Sequence, residues 1–139
     1  MIVCIEGVDA AGKYTQAKRL EAQGAKLFSF PRYGTEVGEL IRAHLTGKWA
    51  VQRILLDVDA ETSFERRPDR RDQYERDLEG LKRRAEAYRK LWRNRRHADL
   101  LMGRAADPRW QVVDGRAPLE QVSAEVDNVV RLAKEIENA

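Results

Sequence analysis

Ile2-Val3-Cys4-Ile5-Glu6-Gly7-Val8-Asp9-Ala10-Ala11-Gly12-Lys13-Tyr14-Thr15-Gln16, residues 2 to 16, is the stretch on which the reading of this chain turns. Its first four residues are apolar and mostly β-branched, the composition of a buried strand. Gly7 follows, and Gly12-Lys13 completes the spacing G-x-x-x-x-G-K between a predicted strand and a predicted helix. Each part of the pattern has a physical role. Glycines let the backbone curl so that successive N–H groups of Val8, Asp9, Ala10, Ala11 and Gly12 point inward at phosphate oxygens. The helix beyond adds its unpaired N-terminal N–H groups and the positive end of its dipole. Lys13 adds a flexible point charge for β- and γ-phosphates. A nucleotide phosphate site is expected at Gly7, Ala10, Ala11, Gly12, Lys13, Tyr14 and Thr15.

One position departs from the pattern. The residue after the lysine should carry a small hydroxyl for Mg²⁺, and Tyr14 stands there, with Thr15 next. Either phosphates and water hold the ion, or Thr15 helps; the metal ligands stay unassigned.

The chain has 139 residues, which suits one domain. It is 42% hydrophobic and 35% charged, with 26 basic against 23 acidic side chains and a net charge of +3. Basic and acidic residues alternate along the predicted helices, so the charge does not point to nucleic acid. Cys4, the single cysteine, forms no intrachain disulfide and reads as a small buried residue. No apolar run approaches the ~20 residues of a membrane span and no signal peptide precedes the strand, so a cytoplasmic location is expected.

Working outward, Thr15 to Gln23 predicts a short helix ended by Gly24. Residues 26 to 30 predict a second strand, halted by Pro31. A loop then leads to a helix over Glu36 to Leu45. Arg53 to Asp59 is an apolar run of the buried parallel-strand type, and Asp57 at its end is a candidate Mg²⁺ carboxylate of the Walker B kind. Ala60 to Arg76 is rich in arginine, with Arg66, Arg67, Arg70 and Arg71 as candidates for a lid, approximately 63–76, that closes guanidinium groups on phosphate; a solvated turn is the ordinary alternative. Asp77 to Trp92 carries an apolar stripe of Leu78, Leu81, Ala85, Tyr88, Leu91 and Trp92, with Arg84 and Arg89 among the charges expected to face solvent. Trp110 to Val113 predicts a closing strand and Leu119 to Glu137 a final helix with Val122, Val126 and Ile136 inward. Strands separated by helices predict an α/β fold: a parallel sheet flanked by helices on both faces, with ligands at the carboxyl ends of the strands.

These residues resemble the thymidylate kinases, a family of P-loop nucleoside monophosphate kinases. Gly7 to Gln16 is similar to that family's phosphate loop. Phe30-Pro31-Arg32-Tyr33-Gly34-Thr35, with Gly38 and Ile41-Arg42, is similar to its monophosphate-binding segment. Leu55-Leu56-Asp57-Val58 before the arginine-rich stretch resembles the strand leading into its lid. Asp114-Gly115, with Arg116 and then Pro118 to Val122, resembles its adenine-side turn and last helix. The resemblance covers nearly the whole chain and implies a P-loop NTPase-type fold and transfer of the ATP γ-phosphoryl group to dTMP, with Mg²⁺, giving dTDP and ADP. It implies that Asp9 contacts the acceptor sugar, that Phe30, Pro31, Arg32 and Tyr33 border the acceptor, and that Gly115 and Arg116 lie on the ATP side. Ala10 stands where some members carry arginine, which leaves Arg66, Arg67, Arg70 and Arg71 to deliver catalytic charge. The family is commonly homodimeric.

A departure lies between Trp49 and Ile54. The family has there a base-reading helix and a strand ending in Asp-Arg-Tyr; this chain has Ala50-Val51-Gln52-Arg53, which at ~3.6 Å per residue cannot span them. Either a stretch is omitted beside Gln52, in which case the chain should be interrupted there, or the polypeptide lacks it and base selectivity with it. Two function classes follow: a phosphoryl-transfer enzyme, and a nucleotide-binding module without turnover, the second motivated by Tyr14 and the missing Asp-Arg-Tyr.

Overall fold

The computed structural model describes residues 1–28, 51–67, 77–103, 105 and 107–137. Phe30, Pro31, Arg32 and Tyr33, the expected helix over 36–45, and Arg70 and Arg71 with residues 68–76 of the expected lid lie outside the described residues.

Three strands are described: β1 (Ile2–Glu6), β2 (Val51–Asp57) and β3 (Trp110–Asp114). They form a parallel sheet in the order β1-β2-β3. The register sets Ile2 beside Val51 and Glu6 beside Leu55 on one side, and Arg53 beside Trp110 and Asp57 beside Asp114 on the other. β2, central among them, has neighbours on both edges, and Ile54, Leu55 and Leu56 are buried accordingly. A continuous apolar run is what a strand covered on both faces requires. Gln52 and Arg53, where the sequence departs from the family pattern, take consecutive places in the ladder, opposite Val3 and Cys4.

Four helices complete the described residues: α1 (Lys13–Ala22), α2 (Ala60–Arg66), α3 (Leu78–Leu101) and α4 (Leu119–Glu137). They cover both faces of the sheet. On the face carrying Glu6, Arg53, Asp57 and Trp110 lies α3: Tyr88 Oη donates to Glu6 at 3.3 Å, Arg89 pairs with Asp57, and the Trp92 ring meets Trp110 edge-on at 4.8 Å. On the opposite face, Gln52 and Gln111 share a cavity wall with Val129, Ala133 and Ile136 of α4. α1 is tied to α4 by Gln16, whose Nε2 donates to Ser123 Oγ at 3.2 Å, and by the 2.6 Å pair of Arg19 with Asp127.

Several boundaries differ from expectation. α1 begins at Lys13, directly on the loop, and the residues 26–28 expected to open a strand have no regular structure. α3 continues to Leu101, where the apolar stripe had ended at Trp92. Asp99 explains part of the extension: it is buried, pairs with Arg95 at 3.6 Å and accepts from the Asp107 amide at 3.3 Å. Leu91 and Ile136, expected inward, are 51% and 57% exposed.

Candidate functional site

Parallel strands end on the same side of a sheet, so the turns after β1, β2 and β3 meet. The Gly115 amide, just past β3, donates to the Asp57 carbonyl at 3.0 Å. A Cβ on Gly115 would stand 2.5 Å from Val58 Cγ2 and 3.5 Å from the Ala11 carbonyl oxygen, so the turn lies hard against the loop that follows β1. The loops after the described strand ends therefore converge, as their order in the sequence requires. Pro31, placed with them by the sequence, lies outside the described residues.

The loop after β1 is bent by residues with positive φ: Gly7 at 147°, Ala10 at 55° and Gly12 at 94°. The Ala11 amide closes a turn on the Val8 carbonyl at 3.2 Å. Gly12 stands at the α1 N-cap with no side-chain cap. Among the described residues, no backbone acceptor takes the N–H groups of Gly12, Lys13 or Tyr14, and these donors stand at the start of α1, where its dipole is positive. Lys13 folds back across the loop, its Nζ donating to the Gly7 carbonyl at 2.7 Å and the Val8 carbonyl at 2.8 Å. Burial lowers its pKa, with Asp9 and Glu6 opposing. The sequence placed Gly7, Ala10, Ala11, Gly12 and Lys13 in one loop, and the Lys13 ammonium rests on the carbonyls at the start of that loop.

The other candidates are placed as follows. Tyr14 is 66% exposed, with Lys18 Nζ 5.8 Å from its ring centroid, and Thr15 is exposed. Asp9 is exposed; Arg84 Nη2 lies 3.9 Å from its carboxylate and its carbonyl accepts from the buried Ser63 hydroxyl. Arg66 donates to the Gly115 carbonyl at 2.7 Å, joining α2 to the turn after β3. Arg67 follows α2 and is half-buried. Arg116 grips Asp114 with two N–H groups, at 2.9 and 3.0 Å, and that pairing holds the Asp114 carboxyl below its usual range.

Asp57 has a partner that the sequence did not indicate. Arg89 Nε lies 2.8 and 3.1 Å from its two oxygens. Arg84 and Arg89, expected among solvent-facing charges, instead turn toward the strand ends. Tyr88, between them in sequence, donates to Glu6, and burial followed by the Glu6 charge raises its pKa. Cys4 Sγ donates to the same carboxylate at 3.3 Å. Burial and Glu6 push its pKa up to about 12, so the thiol is a structural donor and not a nucleophile. Spacing gives one signal for this cluster: positions 84 and 88 are one helical turn apart and 89 adjoins them, beside the apolar stripe.

Among the described residues there is no group of three His, Cys, Asp or Glu side chains that could hold a metal ion. Tyr14 lacks the small hydroxyl and Asp57 is engaged by Arg89, so the described residues do not form a protein cage for Mg²⁺. No described helix is long and apolar enough to cross a membrane.

Fold and site together define an α/β protein in which a glycine-bent loop past the first strand of a parallel sheet is closed by a lysine ammonium. Compared with protein-family models, with curated proteins and with solved structures, the chain matches none.

Proposed function

We propose that the chain is a P-loop nucleoside monophosphate kinase of the thymidylate kinase kind, binding ATP at Gly7–Lys13 and transferring its γ-phosphoryl group to dTMP. The observation that carries this is the loop itself: positive-φ turns at Gly7, Ala10 and Gly12, with the Lys13 ammonium 2.7 and 2.8 Å from loop carbonyls. An ammonium resting on two neutral carbonyls gains by turning to an anionic oxygen, because hydrogen bonds between charged partners are stronger. The site's own residues supply position and charge. Lys13 and the amides at the start of α1 hold the donor phosphates, and Asp9, within the loop, serves the acceptor side. Such placement lowers the barrier mainly through orientation and prearranged charge. Mg²⁺ enters with the nucleotide as part of the substrate. A cytoplasmic location and a homodimer go with the same reading.

The pairing of Asp57 with Arg89 and the exposure of Tyr14 favour a second reading, nucleotide binding without turnover. One assay separates the two. ADP release is followed with MgATP and, in turn, dTMP, dUMP, AMP, CMP and GMP, for the parent chain and Lys13→Met. The kinase reading expects release that requires dTMP and falls by about 100-fold or more in the variant. ATP binding with no release on any of the five acceptors selects the second reading. Parent-like turnover by Lys13→Met removes Lys13 from the mechanism.

A further inference from the structure

Three carboxylates stand at or beside the ends of β1 and β2: Glu6, Asp9 and Asp57. Glu6 and Asp9 are near the loop, and Asp57 ends the strand whose following turn packs on it. Glu6 and Asp9 both act on the Lys13 ammonium, and the Asp57 carbonyl accepts from Gly115, whose turn lies against Ala11. Left uncompensated, acids this near a phosphate site would repel a polyphosphate. One helix, α3, answers all of them from a single stretch: Arg84 toward Asp9 at 3.9 Å, Tyr88 onto Glu6 at 3.3 Å, and Arg89 onto Asp57 at 2.8 Å. The Arg89–Asp57 pair has both carboxylate oxygens within 3.1 Å of one Nε, and both side chains are 32% exposed. Water screens a pair so enclosed less than it screens a surface pair.

We propose that Arg89, assisted by Arg84, is a positioning residue: Arg89 cancels the Asp57 carboxylate and Arg84 offsets Asp9 beside the phosphate loop, which permits an anionic nucleotide to bind. Arg89 acts through Asp57 and touches no phosphate itself. The inference rests on the phosphate-site reading above and deepens it by assigning charge control to α3. It also gives the Asp57 carboxylate a role other than metal ligation.

The test is a double-mutant cycle on the full chain with MgADP as the probe, read by calorimetry at low and high salt. Arg89→Met should weaken binding by about tenfold at low salt, as a bare unit charge roughly 10 Å from phosphate at intermediate dielectric would do. Asp57→Asn, which leaves the guanidinium uncompensated, should tighten it. The double variant should return to within about twofold of the parent, because the two charges are removed together. At 1 M salt, where the screening length is about 3 Å, the Arg89→Met deficit should largely vanish. A merely structural role would lower the melting temperature and leave a salt-insensitive deficit, and that result overturns the proposal. So does a double variant as weak as Arg89→Met, which would mean direct contact with the nucleotide. Arg84→Gln, a half-exposed position, provides the second variant: a smaller, salt-sensitive loss is expected, parent-like binding by Arg84→Gln alone removes Arg84 from the proposal, and parent-like binding by both variants overturns it. Absence of MgADP binding by the parent chain would overturn the phosphate-site reading and this inference together.

Discussion

A Cβ placed on Gly7 would stand 2.7 Å from the Leu56 carbonyl oxygen and 3.1 Å from the Ala11 Cβ, at a φ of +147° that side chains rarely adopt. Gly12, at +94°, has no atom within 4 Å of its virtual Cβ. The two glycines of the motif are therefore constrained differently: Gly7 by backbone angle and by contact with β2, Gly12 by angle alone. Gly12→Ala should cost about 1–2 kcal/mol, the usual penalty for an alanine in left-handed backbone. Gly7→Ala should cost more, about 2–4 kcal/mol, since carbonyl and loop must also separate. Urea unfolding of both variants checks the order; equal losses would mean that the loop does not pack on Leu56. Ala10 shows that the loop tolerates one such angle without glycine, at a φ of 55°. The motif as a pattern of letters announced the two glycines and the lysine. It could not announce Arg89, because a guanidinium on a helix face reads as solvated until the opposing strand end is known.

Among the elements, those whose sequence carries a sharp local signal were legible. β2 carries the apolar run Ile54-Leu55-Leu56 ended by Asp57, though it opens at Val51 and not at the expected Arg53, and α4 repeats valine at helical spacing, with its observed bounds at Leu119 and Glu137. What was not legible depended on partners distant in sequence. The last turns of α3 lack an apolar stripe and are held by Asp99, the Asp107 amide and the edge-on contact of Trp92 with Trp110. Residues 26–28 have strand-like composition but no ladder among the described residues, and composition alone does not make a strand. α2 stands where the sequence was read as an arginine-rich lid or turn, yet its start is set by local chemistry: Asp59 caps it, accepting from the Thr62 amide at 2.7 Å and the Thr62 hydroxyl at 3.0 Å. Asp59→Ala should cost about 1 kcal/mol at neutral pH. The Thr62 amide lowers the Asp59 pKa from 3.8, so the cap's contribution is complete above pH 3.8 and is lost as pH falls through the lower folded value. The stability difference between parent and Asp59→Ala, followed by thermal melts from pH 7 downward, should hold constant to about pH 4 and then shrink. A difference that grew in acid would contradict the capping role.

Across the whole molecule, the glycine-bent loop after β1 is where separate elements are knotted. α1 leaves it and is fastened to α4 through Gln16 and Arg19; α2 is fastened to it by Ser63 on the Asp9 carbonyl; the turn after β3 is fastened to β2 by the Gly115 amide and to α2 by Arg66. A ligand that braces the loop therefore braces the ends of all three described strands, and its binding energy must be lost before the sheet opens. Linkage gives the size of the effect: at 100 times its dissociation constant a ligand specific for the folded state adds about 2.7 kcal/mol. For a chain of 139 residues that corresponds to a rise of roughly 5–12 °C in melting temperature. The proposed site expects this rise with MgADP in the parent chain and its loss in Lys13→Met, whose own melting temperature without ligand should change little, because burial disfavours the ammonium it removes and so offsets what its two hydrogen bonds to loop carbonyls contribute. A rise of equal size in both proteins would put the nucleotide elsewhere on the molecule.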